Sequence, residues 1–189
     1  LLGDIAPERI WTELKKLAAG DQAAEVLRAY PDVIGVFWPE VLPMVGFDQR
    51  NRHHCYDVWE HTLHALEHAP ADAALRWAAL LHDTGKPARK TFSPDGVAHF
   101  YGHPPESGRV ARRVLTRLRF SKREAEWIAS LVDHHEDPMP MGEKGPSPKM
   151  RIGSRTMLAT QPHIMLAMVI FMLPTDWKSF SKTSPTMTM

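Results

Sequence analysis

At 189 residues, 43% of them hydrophobic, the chain is long enough to bury one substantial core. A formal net charge of +1 gives no global drive toward nucleic acid or an anionic membrane, and the longest apolar run, residues 164–173, is about half the span a bilayer requires. The single cysteine, Cys55, excludes an internal disulfide, and no signal-peptide pattern opens the sequence, so a cytoplasmic location is expected.

In chain order the first 130 or so residues read as a helical array. Pro7 near a helix start, Ile10, Leu14 and Leu17 at helical spacing and Gly20 as terminator give a first helix. Asp21 is expected to cap a second helix through Tyr30, stopped by Pro31. Residues 33–44 are apolar and broken by Pro39 and Pro43, which predicts a short helix against the core. A polar loop from Gly46 to Tyr56 leads to Asp57-Val58-Trp59-Glu60-His61, which has the form of a capping box. Asp72 caps the helix ending at Leu80-Leu81-His82-Asp83-Thr84-Gly85-Lys86, where Gly85 is read as the left-handed cap residue. Ser93-Pro94-Asp95-Gly96 marks a turn between two β-compatible segments, hence a small hairpin. Pro104 and Pro105 sit where the helix after His103 begins, and Ser121-Lys122-Arg123-Glu124 is a second capping box.

The chemistry lies in the histidines. His82 and Asp83 are both metal-ligand types, but neighbours on a helix point about 100° apart, so they can share an ion only at a helix end. His61, His103, His134 and His135 add imidazoles at further helix ends and a loop. Together with His82 and Asp83 they make a candidate metal centre of five imidazoles and a carboxylate. That donor set suits Ni, Co, Mn, Fe or Zn better than Mg or Ca, which prefer oxygen. His53, His54, His64 and His68 are assigned to structure or surface, and Glu60 to capping. Seven cations fall between Arg109 and Arg123, with Arg109, Arg112, Arg113 and Arg117 on one helical stripe. This stripe reads either as a solvated face or as a phosphate-contacting surface for a nucleic acid or a phosphorylated substrate.

The pattern His61…His82-Asp83…His134 resembles the HD-domain metal-dependent phosphohydrolases. The longer runs from Arg52 to His64, Leu75 to Pro87 and Gly96 to His103 are more specific. They resemble the HD domain carried by bacterial CCA-adding tRNA nucleotidyltransferases of the poly(A)-polymerase-like class, over roughly residues 5–138. The resemblance implies an all-α HD helical array with a small β-hairpin insertion. It divides the chain into a connector segment (residues 1–45), the HD domain (46–138) and a tail (139–189). It further implies a phosphohydrolase acting on nucleotide 2′,3′-cyclic phosphates or related esters at an RNA 3′ end. The ligands would be His61, His82, Asp83 and His134, with His103 and His135 for a second ion, and Lys86 would neutralise phosphoryl oxygens. Lys86 also reads as a C-cap lysine facing the helix dipole.

In that family a nucleotidyltransferase head with an Asp-x-Asp pair precedes this region. No Asp-x-Asp occurs in the 189 residues, so the chain is read as the C-terminal part of such an enzyme and nucleotide addition is not expected of it. From Pro138 on the composition shifts. Nine of ten methionines and seven prolines lie there, Asp176 is the sole acid after Glu143, and a later Asp expected of the family is not matched. The tail is therefore expected to be divergent and poorly ordered. The alternative function is a non-catalytic, tRNA-supporting helical module with a vestigial HD site.

Overall fold

The computed structural model describes residues 5–50, 56–136, 141–142 and 145–146. Helix α1 (Pro7–Ala19) opens on proline, whose missing N–H is harmless in a first turn, and ends at Gly20. Asp21 does not cap α2 (Ala23–Ala29); Gln22 holds the cap position and no side chain bonds there. Pro31 stops α2 and also starts α3 (Pro31–Gly35), because its fixed φ suits a first helical position. The single helix expected over residues 33–44 is instead the end of α3 followed by a 3₁₀ turn, Pro39–Met44, interrupted by Pro43.

Helix α4 (Val58–His68) is capped by Asp57, which accepts a hydrogen bond from Glu60 N at 2.7 Å. Glu60 does not complete the capping box. Its carboxylate takes Arg28 Nε at 2.9 and 3.1 Å and so ties α4 to α2. Asp72 caps α5 (Ala73–Leu81) by accepting from Leu75 N at 3.0 Å. A short α6 (Lys86–Arg89) leads into the expected hairpin, β1 (Thr91–Phe92) and β2 (Ala98–His99), paired antiparallel with Thr91 opposite His99. Helices α7 (His103–Arg117) and α8 (Lys122–Asp133) follow, the latter with both halves of the Ser121–Glu124 capping box formed. Beyond Glu136 the described backbone is a second antiparallel pair, β3 (Met141–Gly142) with β4 (Gly145–Pro146). The expected disorder of the tail otherwise falls outside the described residues.

Helix α5 is the axis of the molecule. Every residue from Leu75 to Leu81 is buried, which explains why its sequence is apolar all round rather than on one face. It packs on α4 and α8, and α1 and α7 also touch it. Trp77 of α5 meets Trp38 at 6.2 Å and Phe120 edge-on at 5.2 Å, while Trp38 meets Trp59 edge-on at 6.2 Å. Leu14, Ala18, Leu27 and Ile34 from α1–α3 belong to the same buried cluster. The one charged residue inside α5's buried run, Arg76, donates from Nη1 to Ala18 O and Gly20 O, both at 2.9 Å. Both carbonyls lie at the C-terminal end of α1, so a buried cation is matched to the negative end of that helix. No helix among the described residues is long and apolar enough to cross a membrane.

Candidate metal centre

Four elements deliver side chains to one buried point. His61 lies one turn into α4. His82 is the residue after α5 and Asp83 follows in the turn, where Thr84 Oγ1 donates to Leu81 O at 2.8 Å. His103 is the first residue of α7, placed by Gly102 at φ +75, a backbone state that glycine adopts freely. His135 lies just past the C-terminus of α8.

Asp83 is the hub. Its Oδ2 lies 3.1 Å from His82 Nε2 and 3.6 Å from His61 Nε2; its Oδ1 lies 3.2 Å from His103 Nε2 and 4.0 Å from His135 Nε2. Two triads with metal-ligand spacing result, His61–His82–Asp83 and Asp83–His103–His135, all buried and sharing the one carboxylate.

The imidazole tautomers follow from their outer contacts. His82 Nδ1 sits 2.7 Å from Ala79 O, His103 Nδ1 3.0 Å from Phe100 O, and His135 Nδ1 2.7 Å from Val132 O. A carbonyl only accepts, so each Nδ1 carries a proton and Nε2 is the nitrogen turned inward, the one a metal would take. This is the outer-shell arrangement that orients metal-bound histidines. Inside, His103 Nε2 and His135 Nε2 pair at 3.2 Å, Asp83 Oδ2 meets the Lys86 ammonium at 2.8 Å, and His82 Nε2 and Asp83 Oδ1 are buried facing the same point. Acceptors gathered this way are costly unless a cation lies among them. The residues present therefore fit a divalent metal ion.

Electrostatics agree. Burial alone would raise the Asp83 carboxyl, but the neighbouring His82, the Lys86 ammonium and the contact with His103 carry it well below the usual carboxylate range. Burial, reinforced by His82, pushes His135 down to about 3, so its imidazole is neutral and available at ordinary pH.

The structure separates the expected residues. His61, His82, Asp83, His103 and His135 converge. His134 does not: it is exposed, and its Nδ1 bonds back to Ser130 O at 2.7 Å, because at the frayed end of α8 only the following residue turns inward. Lys86 is buried at the start of α6, not at a helix C-cap. Its Nζ lies 2.8 Å from Asp83 Oδ2 and donates to Gln49 Oε1 at 2.9 Å; Gln49 Nε2 in turn donates to Tyr56 O. Gln49 carries no sequence signal for this role, since the contact spans 37 residues. Gly85 also differs from expectation. Its φ is −83, so no left-handed cap forms; glycine is needed because a Cβ would stand 2.7 Å from both His103 O and Ser107 N. Gly85 N accordingly donates to Ser107 Oγ at 2.9 Å, pressing the Asp83 turn onto α7.

The cationic stripe is largely paired. Arg109 meets Glu106, Arg112 Nη2 meets Asp133 at 2.8 Å and its Nε meets Glu126 at 3.1 Å, and Arg117 Nη1 meets Glu40 at 3.1 Å. Arg113, Lys122 and Arg123 are exposed.

A helical array with histidines and an aspartate meeting at helix ends defines a metal-dependent phosphohydrolase fold. Residues 52–169 match the model of the HD domain, and the chain belongs to the HD-domain family. The match runs past Pro138 into the methionine-rich segment. Curated relatives include a CC-adding tRNA nucleotidyltransferase of Thermus thermophilus, 40% identical over 149 residues that are 74% of this chain and 34% of that protein. An A-adding tRNA nucleotidyltransferase of Deinococcus radiodurans is 33% identical over 70% of this chain and 32% of its own length. A protein named Multifunctional CCA protein, from Actinobacillus pleuropneumoniae, is 31% identical over 80% of this chain and 38% of its own length. The chain spans about a third of the length of these relatives.

Proposed function

We propose that the chain is a metal-dependent phosphohydrolase for phosphate esters of nucleotides or RNA 3′ ends, with 2′,3′-cyclic phosphates as the first substrates to try. The observation that carries this reading is the ring of ligating nitrogens around Asp83: three imidazoles whose Nδ1 atoms are fixed on carbonyls turn Nε2 toward one buried carboxylate. His61, His82 and Asp83 would hold one ion, and Asp83, His103 and His135 a second. When bound, a divalent ion supplies Lewis-acid polarisation of a phosphoryl oxygen and a nucleophile at neutral pH. Imidazole-rich ligation favours Ni, Co, Mn, Fe or Zn over Mg.

The chain's own residues do the positioning. The three carbonyls fix the imidazoles in one tautomer. Lys86, locked by Gln49, holds Asp83 ionised and oriented; its ammonium is thereby engaged inside the protein, so charge neutralisation on a substrate phosphoryl group is its secondary role. The test is hydrolysis of 2′,3′-cyclic AMP, with the nucleoside monophosphate product separated chromatographically, before and after chelation and on addition of cobalt or nickel. Turnover that chelator abolishes, that metal restores and that Asp83→Ala lacks supports the reading. A protein that binds these metals and hydrolyses no phosphate ester refutes it.

The exposed Arg113, Lys122 and Arg123, together with the tRNA enzymes among the relatives, favour a second reading: a tRNA-supporting module without catalysis. Metal-independent, salt-sensitive tRNA binding by an inert chain would support it.

A further inference from the structure

Phe100-Tyr101-Gly102-His103 closes as a β-turn. His103 N donates to Phe100 O at 3.0 Å, and Gly102 stands at φ +75 and ψ +18, as the third position of a type II turn requires. The same carbonyl lies 3.0 Å from His103 Nδ1, so the turn that aims His103 inward also sets Tyr101 at its outer corner. Tyr101 is 77% exposed, more than any other large hydrophobic side chain among the described residues. A ring placed there adds little to the core, yet it is not loose. It lies parallel to the His99 ring, with 6° between the planes and 5.2 Å between the centroids. His99 Nε2 lies 3.2 Å from Ser93 Oγ across the hairpin turn.

Alternation along the strand gives His99 and Tyr101 one face and Phe100 the other, where its ring sits 5.5 Å from Lys86 Nζ and 6.3 Å from Phe47. With one side of the tyrosine on His99, its exposure leaves the other side open to a planar ligand. The neighbourhood says which. Tyr101 and His103 are two residues apart, so their Cα atoms are separated by at most about 7.6 Å. The Glu136 side chain, 59% exposed, comes within 3.6 Å of His103 Nε2, so the buried cluster meets the surface beside His103. An ester that brings its phosphate to the centre from that side leaves its organic group outside, next to this turn. What the turn offers that group is a fixed aromatic face, the chemistry that recognises a nucleobase.

We propose that the Tyr101–His99 stack is the platform on which the nucleobase of the substrate lies, making Tyr101 the residue that selects nucleotide esters over base-free phosphate esters. This rests on the phosphohydrolase reading above and names how the same site tells its substrates apart. Every base has a π-face, so the platform distinguishes a base from no base rather than one base from another. Because the turn and His99 already hold the ring, little side-chain freedom is lost on binding.

The experiment is isothermal titration calorimetry of the cobalt-loaded full chain with adenosine 2′-monophosphate and with ribose 5-phosphate, which lacks the base. Tyr101→Ala removes the platform and Tyr101→Phe keeps it. Phe92→Ala removes another exposed aromatic from the same hairpin, one that pairs with Ala98 and so lies on the face away from His99. The expected result is that the unaltered chain prefers the nucleotide by at least about fivefold, the smallest contribution of one stacked base. Tyr101→Ala brings that ratio to about one by weakening the nucleotide alone, while Tyr101→Phe and Phe92→Ala retain it. Unchanged affinity for ribose 5-phosphate shows that the altered chain is folded. A preference that survives Tyr101→Ala, or a loss that falls equally on ribose 5-phosphate, overturns the platform and leaves the phosphohydrolase reading standing. Equal affinity of the unaltered chain for the two ligands does the same. If the unaltered chain binds neither, the phosphate-ester reading fails and the platform fails with it.

Discussion

Replacing Gly85 by alanine tests whether the Asp83 turn is held by close packing. At φ −83 alanine is conformationally comfortable, and from backbone entropy alone it should stabilise by about 0.5–1 kcal/mol. The surroundings predict the opposite. The new Cβ would lie 2.7 Å from His103 O, 2.7 Å from Ser107 N and 2.8 Å from Ser107 Oγ, and two of those atoms are backbone of α7. Relief requires moving the turn off the helix and losing the Gly85 N to Ser107 Oγ bond at 2.9 Å. Overpacking of this kind costs about 1–3 kcal/mol. At about 2–4 °C per kcal/mol for a chain of this size, the melting temperature should fall by roughly 2–12 °C. The same shift separates His103 from Asp83, so stabilisation by added cobalt, about 2.7 kcal/mol at a hundredfold excess over Kd, should shrink. The assay is differential scanning calorimetry with and without cobalt. Gly20→Ala is the control, since there the nearest atom to a new Cβ is Leu17 O at 3.3 Å. A Gly85→Ala protein that melts as high as the unaltered chain, with full cobalt stabilisation, would refute the packing argument.

His135→Ala should weaken metal binding at least about tenfold while His134→Ala leaves it unchanged, measured by chelator competition; the reverse order would show that α8 ends differently from the geometry described. Glu40 offers a pH test. Burial raises its carboxyl, but the hydrogen bond from Arg117 carries the net pKa below the usual value of 4.5. A depressed carboxylate stabilises the fold above its unfolded pKa and loses that contribution as pH falls through the folded one. Urea melts should therefore show Glu40→Gln less stable by up to about 1 kcal/mol at pH 7, with the gap closing below pH 4.5; a gap independent of pH would show that the ion pair contributes nothing. For tRNA, each duplex phosphate contacted contributes about 0.9 to the log–log salt slope. Arg113→Gln combined with Lys122→Gln should flatten that slope more than Arg112→Gln combined with Arg117→Gln, whose cations are already paired to Glu126, Asp133 and Glu40. Equal flattening by both pairs would argue that the ion pairs open on binding.

What could be read from the chain was local. Asp57, Asp72 and Ser121 each bond a backbone N–H three residues on, so the caps were legible in four-residue windows, as was the hairpin turn at Gly96, whose φ is +82. The helical array and its metal-ligand candidates followed from the His82-Asp83 run and its flanks. Illegible were the choices made by tertiary geometry. Which of His134 and His135 turns inward depends on how the last turn of α8 unwinds against α7. Gln49 gains its role from a lysine 37 residues away. Glu60 gave up its local partner for Arg28, and Gly85 was legible as special but for a steric reason that no local window contains.

The Arg76 clamp separates the unit of kinship from the unit of folding. The family match begins at residue 52, yet the carbonyls that receive the Arg76 guanidinium belong to Ala18 and Gly20. A protein trimmed to the matched residues would lose both carbonyl partners of Arg76 and uncover the Trp77 side of α5 to water. Helix α5 also positions His82 and Asp83, so this loss would reach the metal centre through the helix itself. The residues ahead of the shared domain are, in that sense, the outer wall of the helix that carries the candidate metal centre.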